Sequence, residues 1–331
     1  MNASTLGRTG LNTSRMGLGL AALGRPGYIT LGHGADLQGD YGVDAMARRA
    51  AAVFDAAWAG GIRYFDVARS YGQGEAFLAA WLSEQGITPD DVVVGSKWGY
   101  TYTAAWQVNA GAHEEKDHSL ATLQRQWPES QALLGPYLRL YQVHSATLDS
   151  GILQNRAVLD ELARLKVSGV SIGLSLSGAQ QANTLARAVT LAVDGQPIFD
   201  TVQATWNLLE RSAAAPLQAA FDAGMGVIVK EALANGRLTE RNLDPDFAPK
   251  LQVLRQQARR LGASVDAVAL AAVLALPWAN IVLSGAATAT QVESNLAALS
   301  VTWDDEARAA FAGLAESPTE YWGKRSRLAW N

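Results

Sequence analysis

Residues 62–72 read IRYFDVARSYG, and this stretch is the first to indicate the fold. The run Ile62–Asp66 predicts a short buried strand that ends in a carboxylate, and Tyr71 lies just beyond it. Two other apolar runs also end in a polar side chain, Lys97 in VVVGSKWGY and His144 in LYQVHSAT. An acid, a phenol, an amine and an imidazole could form one proton-transfer site if the fold brings these strand ends together.

The same pattern extends along the chain as eight apolar runs that alternate with helical patterns. Most runs are nearly continuous rather than alternating, which is typical of parallel strands covered on both faces. Alternation without a clear linker favours one (β/α)8 TIM barrel over two domains, with a doubly wound sheet as the structural alternative. We predict a single barrel domain over residues 1–331, with strands at Met16–Leu20, Ile62–Asp66, Val92–Lys97, Leu138–His144, Val170–Ser175, Phe199–Ala204, Gly226–Lys230 and Asn280–Ser284.

Two long loops interrupt the alternation. Gly24–Tyr41 is Gly-rich and follows the first strand, whereas Tyr100–His118 is polar with interleaved aromatics and follows the third. In a barrel both would lie at the C-terminal rim, where active sites are built. We expect both to face the substrate, with ordinary solvated loops as the alternative. The predicted helices are Asp44–Ala59, Ser119–Leu134, Asn155–Lys166, Gly178–Val189, Ala213–Ala223 and Lys250–Leu261.

The composition narrows the class of protein. Of 331 residues, 49% are hydrophobic and 18% charged, enough to bury a large core. A net charge of −4 without a Lys/Arg run argues against a nucleic-acid partner. The lack of cysteine excludes disulfides, thiolate zinc sites and cysteine nucleophiles. The stretch HEEKDH at 113–118 has the wrong spacing for a zinc-protease helix, so no metal site is predicted.

The chain also shows no sign of membrane insertion or export. No stretch holds the roughly 20 apolar residues that a membrane span needs. The N-terminal residues lack the long apolar run of a secretory signal. We therefore expect a cytoplasmic protein with no membrane partner.

The four polar residues have a joint chemical logic, although each has an ordinary structural role when taken singly. Lys97 ends an apolar run, so its amine is expected to need a buried partner, for which Asp66 is the candidate. A nearby ammonium stabilises a phenolate, and we expect Lys97 to lower the pKa of Tyr71. A shift of ~3 units takes about 4 kcal/mol, which requires a desolvated site. His144 would orient a carbonyl, whose oxygen takes up a proton on hydride reduction.

These motifs resemble the aldo-keto reductase family along essentially the whole chain. LGRTGL at 6–11 and GLG at 17–19 resemble the family's N-terminal hairpin and first strand, and FDVARSYG resembles its FDTAxxYG signature. The resemblance implies that Tyr71 is the general acid/base, that Lys97 and Asp66 adjust its pKa, and that His144 positions the substrate. It further implies an NAD(P)(H)-dependent oxidoreductase that interconverts an aldehyde, ketone or sugar with the corresponding alcohol or lactone.

The resemblance also implies a cofactor site, with departures from the family pattern. Leu176 replaces an Asn, and Lys230 replaces an aromatic that stacks on the nicotinamide. Residues 286–288 lack the Lys or Arg that NADP-preferring members carry there, so a 2′-phosphate would lack its usual cation. NADP(H) is the family default, and NAD(H) is the alternative. The implied cofactor residues are Gly19, Ser175, Gln203, Lys230, Ser284, Gly285, Thr288, Gln291 and Asn295.

The substrate site is less defined. We expect Tyr28, Trp98 and Trp106 to contact a small carbonyl or sugar substrate, and the tail Tyr321–Trp330 either to cover the pocket mouth or to pack on the barrel. Two other functions stay open. One is a nucleotide-binding regulatory barrel with little turnover, and the other is a barrel glycoside hydrolase that uses Asp66 and Glu231. The sequence carries no indication of an oligomeric state.

Overall fold

The computed structural model describes residues 3–331 and contains a closed barrel of eight parallel strands. Consecutive strands are neighbours around the barrel, and the fifth pairs with the sixth to complete the circle. The predicted (β/α)8 barrel is therefore confirmed, and all eight predicted strands form its wall. The strands are β1 (Met16–Gly19), β2 (Tyr64–Asp66), β3 (Val93–Trp98), β4 (Leu138–Ala146), β5 (Ser171–Leu176), β6 (Thr201–Thr205), β7 (Gly226–Lys230) and β8 (Ile281–Ser284).

Helices surround the barrel, and the six predicted ones are present with ends shifted by a few residues. The structure also contains helices that were not predicted. Among them, Gly74–Glu84 follows β2, and Val265–Leu274 is too uniformly apolar to show a helical stripe. No helix among residues 3–331 is both long enough and apolar enough to cross a membrane. The helices are His33–Asp36, Val43–Ala59, Gly74–Glu84, Leu120–Leu134, Arg156–Val167, Gln181–Val189, Ala214–Asp222, Ala248–Arg260, Val265–Leu274, Ala289–Leu296, Asp305–Ala310 and Pro318–Ser326.

An N-terminal hairpin closes the bottom of the barrel, as the resemblance implied. Ala3–Thr5 pairs antiparallel with Asn12–Ser14. Leu6, at the turn, is fully buried in a small apolar cluster with the inward side chains of the strands, among them Tyr64 and Ile228. A Cβ at Gly7 would stand 2.1 Å from the backbone nitrogen of Gly226, so only glycine allows the turn to approach this closely. The open end is therefore the C-terminal rim.

The two long loops lie at that rim and contact each other. The loop Gly24–Tyr41 contains the short helix His33–Asp36, and the segment Tyr100–His118 folds back as an antiparallel hairpin. A guanidinium nitrogen of Arg25 lies 2.7 Å from a carboxylate oxygen of Glu114 and joins the two loops. Because both loops rise above the strand ends, they build walls around the space where the polar side chains meet.

Candidate active site

A cavity of about 500 Å³ opens at the C-terminal rim. It contains three of the four polar residues that the sequence singled out, while Lys97 lies just beneath its surface with 1% of its side chain exposed. The strand ends therefore meet as predicted. The residues of the sequence-based prediction that line the cavity are Gly19, Tyr28, Asp66, Tyr71, His144, Ser175, Gln203, Lys230, Ser284, Gly285, Gln291 and Asn295.

A buried ion pair lies at the base of the cavity. Lys97 Nζ pairs with the carboxylate of Asp66 and also donates to the backbone oxygen of Val67 at 3.0 Å. The second carboxylate oxygen of Asp66 accepts from Tyr64 Oη at 3.2 Å and from Gln203 Nε2 at 2.9 Å. A buried charge is stable only when it is paired and its remaining hydrogen-bonding positions are used, and both conditions hold here.

Tyr71 lies next to this pair. Lys97 Nζ donates to the Tyr71 hydroxyl oxygen at 3.5 Å, and the Arg25 guanidinium lies 5.2 Å from the centre of the Tyr71 ring. Burial raises the pKa of Tyr71, Asp66 raises it further, and Arg25 opposes the shift. The net shift of this pKa is therefore upward rather than downward as expected, because burial and the charge of Asp66 disfavour the phenolate. Tyr71 is a protonated phenol at neutral pH.

His144 packs its ring against Tyr71, with ring centres 5.5 Å apart. Burial, followed by the charges of Lys97 and Arg25, holds the pKa of His144 well below its usual value, so the imidazole is neutral. The next residue, Ser145, has φ of 52°, and the pairing of β4 with β5 is interrupted there. Such a bulge redirects a side chain at a strand end. In this chain the bulge at Ser145 directly follows His144, whose ring faces the cavity.

Ser175 and Gln203 are direct neighbours in the register of β5 and β6. Ser175 Oγ accepts from the backbone nitrogen of Ser145 at 2.8 Å, which leaves its own O–H free to donate. Gln203 donates one N–H to Asp66, which leaves its carbonyl oxygen as an acceptor. One donor and one acceptor side by side match the oxygen and nitrogen of a carboxamide. This donor set fits the nicotinamide amide that the family resemblance implied.

Lys230 is paired rather than free. Its Nζ donates to Thr205 Oγ1 at 2.9 Å and lies 3.6 Å from a carboxylate oxygen of Glu231. Burial lowers the pKa of Lys230 to about 8 although Glu231 opposes the shift. The carboxylate that pairs with Lys230 is therefore that of Glu231. As Lys230 is in register with Thr205, two residues beyond Gln203, it faces the same side of the barrel.

Glu231 is anchored by the C-terminal segment. Arg325 Nε lies 2.8 Å from one carboxylate oxygen of Glu231 and 3.0 Å from the other. Burial favours the neutral acid, but Arg325 and Lys230 outweigh it and lower the pKa of Glu231 to about 2. Glu231 also has φ of 55°, an unusual value for a non-glycine residue. The carboxylate is therefore ionised at neutral pH and committed to its cations.

The far end of the cavity is formed by β8 and the helix that follows it. Ser284 Oγ accepts from Asn295 Nδ2 at 2.8 Å, and Gln291 Oε1 accepts from the backbone nitrogen of Ala287 at 2.8 Å. Thr288 lies outside the cavity lining, where its hydroxyl accepts from the backbone nitrogen of Gln291 at 3.2 Å and caps the helix. A Cβ added at Gly285 would meet open space, as expected for backbone that faces the cavity.

Two of the three predicted substrate contacts lie elsewhere. Trp98 is completely buried in the main core, because neighbouring strand residues point to opposite faces and Lys97 already points inward. Trp106 lies outside the cavity lining, with its Nε1 donating to the backbone oxygen of Tyr41 at 2.6 Å and its ring against Phe77. These two expectations are corrected, whereas Tyr28 does line the cavity.

Several cavity residues were not singled out from the sequence, although the loops and the tail that carry them were. Arg25 and Glu114 come from the two long loops, and Arg325 and Trp330 from the tail. Trp330 lies under the Arg25 guanidinium, 4.9 Å from ring centre to Cζ, and stacks on His113. The tail therefore does cover part of the pocket mouth, one of the two roles considered. Single cations and aromatics in loops carry no spacing signal, since their partners lie far away in the chain.

Comparisons with known proteins agree with this geometry. The model of the Aldo/keto reductase family matches residues 28–316. The chain is 26% identical over 335 residues to "Uncharacterized oxidoreductase YrpG" of Bacillus subtilis (strain 168), covering 92% of this chain and 93% of that protein. It is 32% identical over 162 residues to "Pyridoxal 4-dehydrogenase" of Microbacterium luteolum, covering 42% of each. The aldo-keto reductase AKR11C1 from Bacillus halodurans, solved in its holo form, shares the fold with a TM-score of 0.72 at 23% identity, over 96% of this chain and 97% of that one.

Proposed function

Because this chain belongs to the aldo/keto reductase family, we propose that it interconverts an aldehyde, ketone or sugar with the corresponding alcohol or lactone, using NAD(P)(H). The observation that carries the proposal is the linked set at the cavity base, where Lys97 joins the Asp66 carboxylate to the Tyr71 hydroxyl beside a neutral His144. A phenol, a buried ammonium and a neutral imidazole that meet in one cavity can bind and protonate a carbonyl oxygen.

Tyr71 is the proton donor in this proposal. When bound, the reduced nicotinamide supplies the hydride that the carbonyl carbon accepts. The raised pKa of Tyr71 keeps its proton in place until negative charge develops on the carbonyl oxygen. Lys97 then stabilises the resulting phenolate through the contact it already makes with the hydroxyl oxygen. Neutral His144 donates one ring N–H toward the same oxygen and so orients it.

The cofactor would be held by residues that follow the tetrad, by which we mean Asp66, Tyr71, Lys97 and His144, around the rim. Ser175 and Gln203 would bind the carboxamide, and Lys230 would face the ring where the family uses an aromatic. Ser284, Gln291 and Asn295, with the backbone of Gly285, would bind the phosphates and the adenosine ribose. Their support is the shared cavity and the donor set described above.

The substrate proposal is a small carbonyl compound or sugar. Tyr28, Tyr100 and Trp330 supply aromatic surface beside the tetrad, and the Arg25–Glu114 pair supplies polar groups. Such a mixed wall suits a compact polar molecule. Pyridoxal belongs in a substrate panel because one relative is named for acting on it, although the similarity covers 42% of this chain.

A single variant tests the mechanism. Tyr71→Phe keeps the ring and removes the proton, and we expect kcat to fall roughly 10²–10⁴-fold. Turnover is followed by the absorbance of the reduced nicotinamide over a panel of aldehydes, ketones and sugars. Tyr137→Phe is the matched control, since that hydroxyl donates to the backbone oxygen of Ile87 away from the cavity. Near-normal turnover in Tyr71→Phe would remove Tyr71 from the reaction.

The other two functions make different predictions. A regulatory barrel would bind the cofactor and show no turnover across the whole panel. A glycoside hydrolase would need a protonated acid beside a carboxylate, and the low pKa of Glu231 leaves it ionised and bound to Arg325. The hydrolase is therefore the less supported of the two.

A further inference from the structure

The adenosine end of the cavity carries charges that the proposed reaction does not use. Asp36 lies at the end of the short helix His33–Asp36 in the loop after β1. Arg241 lies in the segment that follows β7, and Gln291 lies in the helix after β8. We name Asp36, Arg241 and Gln291 the adenosine-end cluster.

Asp36 is the centre of this cluster. Arg241 donates to both of its carboxylate oxygens, each at 2.6 Å, and Gln291 Nε2 donates to one of them at 3.0 Å. Hydrogen bonds to Asp36 raise the pKa of Arg241, so the guanidinium stays charged. The two side chains best able to bind a phosphate at this end therefore already point at a carboxylate.

The net charge around the adenosine-end cluster is negative, like the charge of a phosphate. Within residues 3–331, Arg241 is the one cation that lines this end, while Glu240 and Asp266 line it as well. Asp266 is close enough to influence the pKa of Arg241. One positive and three negative charges, counting Asp36, leave the end at −2, or −1 if Arg255, which pairs with Glu240, is included. A 2′-phosphate carries almost two negative charges, whereas a ribose 2′-hydroxyl carries none.

We propose that the Asp36–Arg241 pair makes this site selective for NAD(H) over NADP(H). The proposal rests on the proposed function, because it assumes that a nicotinamide nucleotide binds with its adenosine near Gln291. Asp36 neutralises the guanidinium that would otherwise bind the 2′-phosphate and repels the phosphate itself. Residues 286–288 therefore supply no cation for a 2′-phosphate, and the arginine that lines this end is already paired with the carboxylate of Asp36.

The test is the ratio of dissociation constants for NADPH and NADH, measured by quenching of tryptophan fluorescence on the full chain. In the unmodified protein we expect NADH to bind at least about tenfold more tightly than NADPH. This difference should become smaller at high salt, because salt screens the repulsion between the carboxylates and the 2′-phosphate. Asp36→Asn keeps the contact shape but frees Arg241, and should tighten NADPH about tenfold with little change for NADH. Arg241→Met should weaken NADPH further.

The control changes another aspartate that is held through both carboxylate oxygens by one arginine. Asp304 is bound through both carboxylate oxygens by Arg260 at 2.7 Å, remote from the lining residues, so Asp304→Asn should leave the ratio unchanged. Equal or tighter NADPH binding by the unmodified protein, or a ratio unmoved by both cluster variants, would overturn the proposal. Failure of both nucleotides to bind would instead overturn the proposed function. Opposite shifts in the two variants cannot come from misfolding, which weakens both nucleotides alike.

Discussion

The two ends of the cavity are built on different principles. At the tetrad end the charges of Asp66 and Lys97 lie on neighbouring barrel strands, are almost completely buried, and pair with each other. At the adenosine end the charges lie on loops and a helix start, are partly exposed, and come from three distant parts of the chain. Buried charges on strands leave little room for variation, whereas loop charges can be exchanged without disturbing the barrel. In our proposals the barrel strands therefore position the reacting groups, and the loops determine which cofactor binds.

The largest effect is expected from breaking the tetrad end. Lys97→Met leaves the carboxylate of Asp66 buried without its cation, and should lower the free energy of unfolding by about 3–5 kcal/mol. Denaturant titration measures the loss. Lys166→Met is a suitable control because Lys166 also pairs with an aspartate, Asp200, but is 31% exposed. Equal losses for the two variants would show that burial does not distinguish the Lys97 pair.

A second prediction concerns the ion pair of Glu231 and Arg325, both of which line the cavity. The folded pKa of Glu231 is about 2, below the usual 4.5, so its charge stabilises the fold above pH 4.5 and this contribution is lost as pH falls toward 2. The shift corresponds to about 3 kcal/mol. Unfolding measured against pH should therefore show a large deficit for Glu231→Gln at neutral pH that narrows in acid. Glu161 is half-buried and pairs with the exposed Arg164, so it supplies a control variant with a smaller deficit. A deficit for Glu231→Gln that is independent of pH would contradict the ionised pair.

The smallest effect is expected at the adenosine end. Thr288→Ala removes a helix cap and should cost about 1 kcal/mol of stability. Because Thr288 lies outside the cavity lining, the dissociation constant of the cofactor should hardly change. Ser119→Ala removes a comparable cap from the helix Leu120–Leu134, none of whose residues line the cavity, and should behave alike. A clear loss of cofactor affinity in Thr288→Ala alone would restore Thr288 as a binding residue.

Much of the tetrad end could be predicted because its residues carry local signals. Asp66, Lys97 and His144 each end an apolar run, and strand ends meet in any closed parallel barrel. Ser175 and Gln203 were implied by family motifs and are indeed neighbours in the register. The prediction failed for Trp98, where one-residue alternation places the ring in the core. The prediction of one domain over residues 1–331 remains untested.

Arg25, Arg241 and Arg325 show why the rest could not be predicted. Each lies in a loop or tail, and each pairs with a carboxylate that is remote in the chain, so no spacing rule connects them. The pKa of Tyr71 is a similar case. The sequence predicts that the ammonium of Lys97 lowers this pKa in a desolvated site, whereas in the structure burial and the charge of Asp66 raise it.

The order of apolar runs along the chain was sufficient to predict the barrel, its eight strands and the meeting of Asp66, Lys97 and His144 at one rim. This is so because burial on both faces and convergence of parallel strand ends are consequences of local pattern. The ionisation state of those residues, the walls of the cavity and the charge around the adenosine end depended on the tertiary structure. Electrostatic energies depend on distance and burial, and only the folded chain brings Asp36 to Arg241 and Glu231 to Arg325.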